Sequence, residues 1–478
     1  MRRLRLVFTL MLIPLALRVY AYQVPYESWM GSFVGDKKIG YLSYKIDKAE
    51  FEGVQGYRIA SVLNNRLTIL GADLTQLVTT VVYTDSSYAP IREDFTVSSG
   101  GKTTTVRATF KKDSVDCVIS AGSGVSNKTV PIPNGASLVG DAMFVMPDGP
   151  VEIGKEYNLH YFNPLTLAIE DLKVRIEREE KLTIGDQTYQ TVVLANITPM
   201  GQMTIWQERN GDMVQVEAMM GIRMIRQTEK EAISGLESAN SQDFGVLTSV
   251  KTDRDIHSPR NVKSLDIVFK GVDDPKMLIT DSRQSAEKVK GQPGVVHYAI
   301  KTSSFDSDKS IKLPVDPKQF EEYLASTPYL DCDLADVKSK AKEIVGDEAN
   351  AYVACTKIRK WVFENMTVRG DIGITRSASD VLKSKVGVCR DYGILTAALA
   401  RAAGIPAKIA AGLLYTNGGF YYHVWVECYV GEWVPFDATL NTDFVDATHI
   451  KLAEGDATSM FGLASVIGNL KAEIKDYK

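Results

Sequence analysis

Gly387-Val-Cys-Arg-Asp-Tyr-Gly-Ile-Leu-Thr-Ala-Ala-Leu-Ala-Arg-Ala-Ala-Gly-Ile-Pro406 is the stretch whose reading decides the fold of the C-terminal third. Gly387 breaks the preceding segment. An Ala/Leu-rich helix is predicted from about Cys389, with Ile394, Leu395, Ala398, Leu399 and Ala402 facing inward. Gly404 supplies the residue just past its end, and Pro406 prevents continuation. Cys389 therefore stands at a helix N-terminus, where unsatisfied N–H groups favour a thiolate. A lone cysteine at such a place is more often packing than chemistry, so the reading depends on partners.

His423 follows within Phe420-Tyr-Tyr-His-Val-Trp-Val-Glu-Cys-Tyr-Val430, a strand by composition. A turn at Gly431-Glu432 leads into Trp433-Val-Pro-Phe-Asp-Ala-Thr439, a second strand that delivers Asp437. A thiol nucleophile, an imidazole base and a carboxylate to orient the imidazole make a triad for acyl transfer. Strand parity adds a geometric expectation. A two-residue turn would set Asp437 opposite Val426, facing away from His423. An odd loop sets Tyr429 opposite Trp433 and Asp437 opposite Trp425. His423 then lies diagonally beside Asp437, roughly 7–8 Å away between Cα positions, a gap their side chains can bridge. The odd loop also gathers Val424, Val426 and Cys428 on one face with Val434, Phe436 and Ala438, so it is the predicted register. Cys428 should be buried on the side away from His423.

With these residues in hand, the chain resembles the transglutaminase-like superfamily of papain-like thiol enzymes, of a bacterial exported type. The resemblance rests on GVCRDYGILTAALARAAGIPAK (387–408), YHVWVE (422–427) and WVPFDATLN (433–441) and covers about residues 320–478. It implies an α+β papain-like core with Cys389 as nucleophile, His423 as base and Asp437 as orienter, and a cysteine-bearing helix packed on the sheet that carries the other two. Two positions depart from the family pattern. Ala438 stands where Pro is usual and Val424 where Ala is frequent, and neither change removes a chemical group. The backbone N–H of Cys389 is the natural first oxyanion donor, and a second is expected from the neighbourhood of 375–379. Trp425 and Trp433 are read as aromatic packing or as walls of an acyl tunnel. Arg390 and Asp391 are read as helix-start electrostatics, and His449 as a surface residue without a partner.

Working outward, residues 22–232 read as a large, curved antiparallel β region. Strand-forming runs such as Gly56–Leu63 and Thr188–Leu194 are punctuated by turn signals at Gly35-Asp36, Ser99-Gly100-Gly101, Gly185-Asp186 and Asn210-Gly211-Asp212. Lys173–Glu179 alternates as a strand with one wet face. Met213–Met224 is Met-rich, in keeping with adaptable core packing. Residues 233–260 read as a polar connection and 261–316 as a small β subdomain or extension, with a loop at Thr302–Ser310. In 317–478 the pattern turns helical: Ala351, Cys355, Ile358 and Val362 form one apolar stripe. The fold class expected is thus multidomain, a large antiparallel β region followed by an α+β papain-like transglutaminase core.

The chain opens with a basic MRRLR and the apolar run Leu6–Leu17, too short to span a bilayer alone. Val19-Tyr20-Ala21 offers a cleavage site, so residues 1–21 read as a signal peptide. No later run is long and apolar enough to cross a membrane. An exported protein is expected, periplasmic or extracellular, without a stable membrane span once the leader is removed. The whole 478-residue chain carries a formal charge of −4, with no basic excess to indicate nucleic acid. The five cysteines are odd in number and hold no CxxC pair. Cys117 and Cys355 sit at core positions, and an oxidising compartment leaves a Cys332–Cys355 disulfide open. The five histidines lack HxxxH or HExxH spacing, so no zinc motif and no cofactor are read. Calcium dependence, known in some animal relatives, is not carried over because no acidic loop matches such a site.

The function expected is thiol-dependent acyl transfer or hydrolysis on a peptide-like amide, through a thioester on Cys389. A protease, amidase or isopeptidase fits this, with a protein or peptide as substrate. Two other readings stand beside it: a protein-crosslinking transglutaminase with a lysine or other amine acceptor, and a non-catalytic envelope- or polymer-binding protein with a relic domain. Fold alone does not choose among them, and nothing in the sequence sets the oligomeric state.

Overall fold

The computed structural model describes residues 24–69, 72–121, 124–141, 151–218, 221–235, 243–370 and 375–478. The predicted leader lies outside them. Among the described residues no helix is long and apolar enough to cross a membrane.

The N-terminal region is one antiparallel sheet of fourteen strands. Eight successive strands, from Tyr26–Val34 to Gly124–Pro131, run outward in one direction. Six more, from Glu156–Asn163 to Ile222–Gln227, complete the other half. The halves join in the middle, where Tyr26–Val34 pairs with Ile222–Gln227. Alternation of side chains builds the interior: in Pro90–Ser99, the residues Glu93, Phe95, Val97 and Ser99 are buried. The predicted turns fall between strands, and Gly35 and Gly185 take the positive φ that tight hairpins require (both 59°). The sheet is curved. Phe95, Val106 and Val115 from one end share a core with Phe162 and Leu167 from the other. Met213 and Met224 are buried in the larger core, as expected of adaptable packing.

The large β region ends in the short helix Glu229–Ile233, and the connection contains a second, Phe244–Thr248. From Val250 on the chain is mixed α/β, so the end of the connection already belongs to this region. Four strands, in the order Val250–Lys251, Gly419–Tyr429, Ala407–Thr416 and His449–Gly455, form a central antiparallel sheet, and Trp433–Phe436 also pairs with Gly419–Tyr429. A smaller sheet orders Gln284–Lys288, Val295–Lys301, Ser264–Lys270 and Lys471–Tyr477. Its last strand comes from the far end of the chain. One hydrophobic core runs through both sheets and the helices, from Val250 to Ile474. The helices Ala335–Val345, Ala351–Asn365 and Ala378–Ser384 pack against Cys389–Ala402.

All five cysteines are free thiols. The Cys332–Cys355 disulfide left open by the sequence is not formed, because the two side chains face different neighbours. Cys332 Sγ lies 3.7 Å from the Leu324 carbonyl, whereas Cys355, on the buried stripe of its helix, faces Cys428.

Candidate functional site

Cys389 is the first residue of the helix Cys389–Ala402 and is half-buried. As first residue, its N–H has no intrahelical acceptor. The helix start is locked from below. Asp391 is wholly buried; its Oδ2 accepts from the Val388 N–H at 3.0 Å. Its Oδ1 accepts from Arg376 Nε and Nη2 at 3.2 and 3.0 Å. Arg376 also donates to the Val386 carbonyl at 2.6 Å and to Ser384 Oγ at 2.8 Å. Gly387 permits this fold-back, since a Cβ there would stand 2.4 Å from Asp391 Cβ. Gly393 lets the helix approach the sheet, where a Cβ would meet Val424 Cγ1 at 2.8 Å. The helix ends as predicted, with Gly404 at φ 78° and the Ile405 N–H donating to the Ala400 carbonyl at 2.9 Å.

The hairpin that carries the other two predicted residues has the odd loop. Tyr429 opposes Trp433, and the pairing continues through Val426 and Phe436. Val430, Gly431 and Glu432 form the loop, with Gly431 at φ 124°. Cys428 is buried. His423 Nε2 lies 2.8 Å from Asp437 Oδ2. With Nε2 engaged there, Nδ1 is the nitrogen left for the Cys389 thiol, which hydrogen-bonds this imidazole. The structure thus brings Cys389, His423 and Asp437 together.

Asp437 is fully provided with donors. Its Oδ1 accepts from the Thr439 N–H at 2.8 Å and Thr439 Oγ1 at 2.7 Å. Its Oδ2 accepts from His423 and, at 3.2 Å, from His449 Nε2. Burial works against the charged carboxylate, but the two histidines outweigh it and hold Asp437 well below the usual carboxylate range. For His423, burial again opposes the charge, and Asp437 with Cys389 overcomes it and raises the imidazole to about 10.

His449, expected at the surface, is fully buried. It is held between Asp437 and Asp446, with Nδ1 at 3.4 Å from Asp446 Oδ2 but without an aligned hydrogen bond. Asp446 in turn contacts Arg260 Nη1 at 2.9 Å. The sequence does contain a signal for this. Asp-Ala-Thr occurs three times, at 437–439, 446–448 and 456–458. The first two copies fold alike, because Asp446 Oδ1 accepts from the Thr448 N–H at 2.8 Å and Thr448 Oγ1 at 2.6 Å. The second copy leads directly into His449.

The remaining expected residues find other places. Trp425 is buried, stacked beside His423 at 6.3 Å and edge-on to His449 at 5.5 Å. Trp433 packs at the hairpin end against Tyr323 and Tyr429, beneath Lys408 Nζ at 4.5 Å. In the 375–379 stretch, Arg376 is committed to Asp391, Ser377 caps the helix Ala378–Ser384, and Ser379 Oγ donates to Asp331 at 2.6 Å. His423, Asp437 and His449 also offer three ligand atoms within 4.8 Å of one another, a set that sequence spacing did not reveal. Asp437 Oδ2 already accepts from both imidazoles, so a cation bound there would displace both hydrogen bonds.

Residues 338–438 match the transglutaminase-like superfamily, and residues 22–226 match a family described as protein of unknown function, DUF3108. The C-terminal region is therefore a transglutaminase-like domain. An uncharacterized protein of Haemophilus influenzae is 27% identical over a match that covers 37% of this chain and 51% of that protein. The chain thus spans about half the length of this curated relative. Among solved structures, a candidate cysteine protease from Cytophaga hutchinsonii is 18% identical, covering 46% of this chain and 89% of that one, at a TM-score of 0.33. The periplasmic domain of TgpA from Pseudomonas aeruginosa, bound to ethylmercury, is 17% identical, covering 39% and 74% respectively, at a TM-score of 0.27.

Proposed function

We propose that this protein is a thiol acyl hydrolase or transferase acting on peptide-like amides, with Cys389 as nucleophile, His423 as base and Asp437 as orienter. The observation that carries the reading is the chain of contacts from Cys389 to His423 to Asp437 at a helix start. His423, as imidazolium, holds the proton taken from the Cys389 thiol, and Cys389 Sγ attacks the amide carbonyl carbon. The C–N bond breaks, the nitrogen leaves with that proton, and a thioester remains on Cys389. Water then attacks the thioester, His423 again relays a proton, and a carboxylic acid and the free thiol are released. The Cys389 N–H, left without an intrahelical acceptor at the helix start, would serve as a donor to the developing oxyanion. The basic and apolar leader supports export of the protein to a periplasmic or extracellular site of action.

The test is a library of peptides, with and without added amine donors, offered to the wild type and to Cys389→Ala. Amide cleavage by the wild type and none by the variant is expected. Equal product from both proteins would overturn the reading. Stable incorporation of the amine, rather than release of acid, would identify crosslinking as the physiological outcome.

A further inference from the structure

We propose that His449 is a positioning residue of this site: as the second donor to Asp437 Oδ2, it sets how tightly Asp437 holds the proton on His423. The inference rests on the triad reading above and extends it by one residue. Asp437 Oδ2 lies 2.8 Å from His423 Nε2 and 3.2 Å from His449 Nε2, so the two imidazoles share one oxygen. A donor on an acceptor oxygen withdraws charge from it and weakens its pull on any other proton. The more firmly His449 holds that oxygen, the more readily His423 releases its proton to a leaving group. His449 is itself fixed from every side. Asp446 faces its Nδ1 from the loop before its strand. Arg260, from the short turn Pro259–Asn261, contacts Asp446 and donates to Thr448 Oγ1 at 3.0 Å. Arg283 donates to the His449 carbonyl at 2.6 Å. From the strand Gly419–Tyr429, His423 and Trp425 present their rings at 5.8 and 5.5 Å. A ring this enclosed has one orientation, and that orientation points Nε2 at Asp437.

Alkylation of Cys389 by iodoacetate reads this without a known substrate. The thiolate displaces iodide and forms an S–C bond, and the anionic reagent reacts fastest while His423 is an imidazolium. The high-pH limb of the rate profile therefore marks loss of the His423 proton. Removal of one hydrogen-bond donor from Asp437 should move this limb upward by about half to one pH unit, roughly a three- to tenfold change in proton affinity. The expected result is that shift in His449→Leu and a wild-type limb in His449→Gln, whose amide keeps an N–H donor. An unmoved limb in His449→Leu, or equal shifts in both variants, would overturn the inference. Should His449→Leu not fold, proton NMR of the wild type decides. Two low-field imidazole N–H resonances are expected, one of them lost in His449→Gln, and a single resonance indifferent to that substitution would refute the role. His423→Ala separates the two levels. If it leaves the profile intact, the triad reading itself fails; if it abolishes the limb while His449→Leu does not move it, only the role of His449 fails.

Discussion

Replacing Arg376 by Met should destabilise the C-terminal core far more than a typical single substitution. The Asp391 carboxylate is wholly buried and receives two Arg376 nitrogens at 3.2 and 3.0 Å. Without them it keeps the Val388 N–H at 3.0 Å and a longer contact to Arg390 Nη2 at 3.8 Å. Breaking a buried pair from one side costs about 3–5 kcal/mol, because a charge is left without its partner. Arg376 also satisfies the Val386 carbonyl and Ser384 Oγ, which favours the upper half of that range. The loss would consume a large part of a total stability of about 5–15 kcal/mol. Cys355 and Cys428, free and buried in the same core, supply a local assay, since they react with a thiol reagent only when the core opens. At about 1.4 kcal/mol per decade, their labelling should accelerate roughly 10²–10⁴-fold. The double variant Arg376→Met, Asp391→Leu removes both charges and should recover at least half of the loss. Labelling within about threefold of wild type in the single variant, or costs that simply add in the double one, would refute the argument.

In native protein, Cys389 should be alkylated well before Cys117, Cys355 and Cys428. Burial pushes the Cys117 thiol up to about 11 and that of Cys355 well above its usual range, so mass-spectrometric labelling that found either faster would contradict the assignment. Asp437→Asn should lower turnover on the order of 10²–10⁴-fold through loss of imidazole orientation, while thermal unfolding shows the protein still folded. The protonated form of His423 is favoured in the folded state, whose value of about 10 lies above the ordinary 6.5. Its stabilising contribution should therefore be complete below about pH 6.5 and be lost as the pH rises through about 10, and melting curves of His423→Gln should lack that decline. Intact-mass measurement of protein from the native host should find Tyr22 at the N-terminus; a mature chain beginning at Met1 would sink the export prediction.

The parts of this molecule that were legible in the sequence are those encoded over a few residues. The cysteine-bearing helix was readable from Gly387, Gly404 and Pro406, and the hairpin register from the alternation of Val424, Val426 and Cys428 with Val434 and Phe436. Both signals have a fixed period, and periods survive without tertiary information. The residues that escaped are joined over long distances. Arg283 reaches the His449 carbonyl across 166 positions, and Arg260 reaches Thr448 across 188. Neither pair has a local pattern, and a buried charge looks in sequence like an exposed one. The fourth strand of the small sheet, Lys471–Tyr477, was missed for the same reason: its partner, Ser264–Lys270, lies at the other end of the C-terminal half.

That small sheet carries no chemical motif, yet it borders the site through the edge strand His449–Gly455. An edge strand exposes unpaired backbone groups on one side, and those of His449 and Lys451 are taken up by side chains from one short segment. Arg283 donates to the His449 carbonyl at 2.6 Å, and Gln284 Nε2 donates to the Lys451 carbonyl at 2.8 Å. Gln284 Oε1 also accepts from the Lys451 N–H at 2.8 Å. The Lys451 ammonium, almost fully buried, then meets Asp281 at 2.6 Å, Glu427 at 2.8 Å and Glu454 at 2.7 Å. Burial opposes that charge, and the three carboxylates outweigh it, so the ammonium is held well into its charged form. Glu427 sits two strand positions beyond Trp425 and four beyond His423, on the face they share. One row of alternate residues therefore carries both the imidazole and the carboxylate that anchors Lys451. Arg283 and Gln284 fix the strand from its outer edge while Glu427 fixes it from within the sheet. Between these restraints the strand has little freedom to slide, and the His449 ring at its start keeps its place against Asp437.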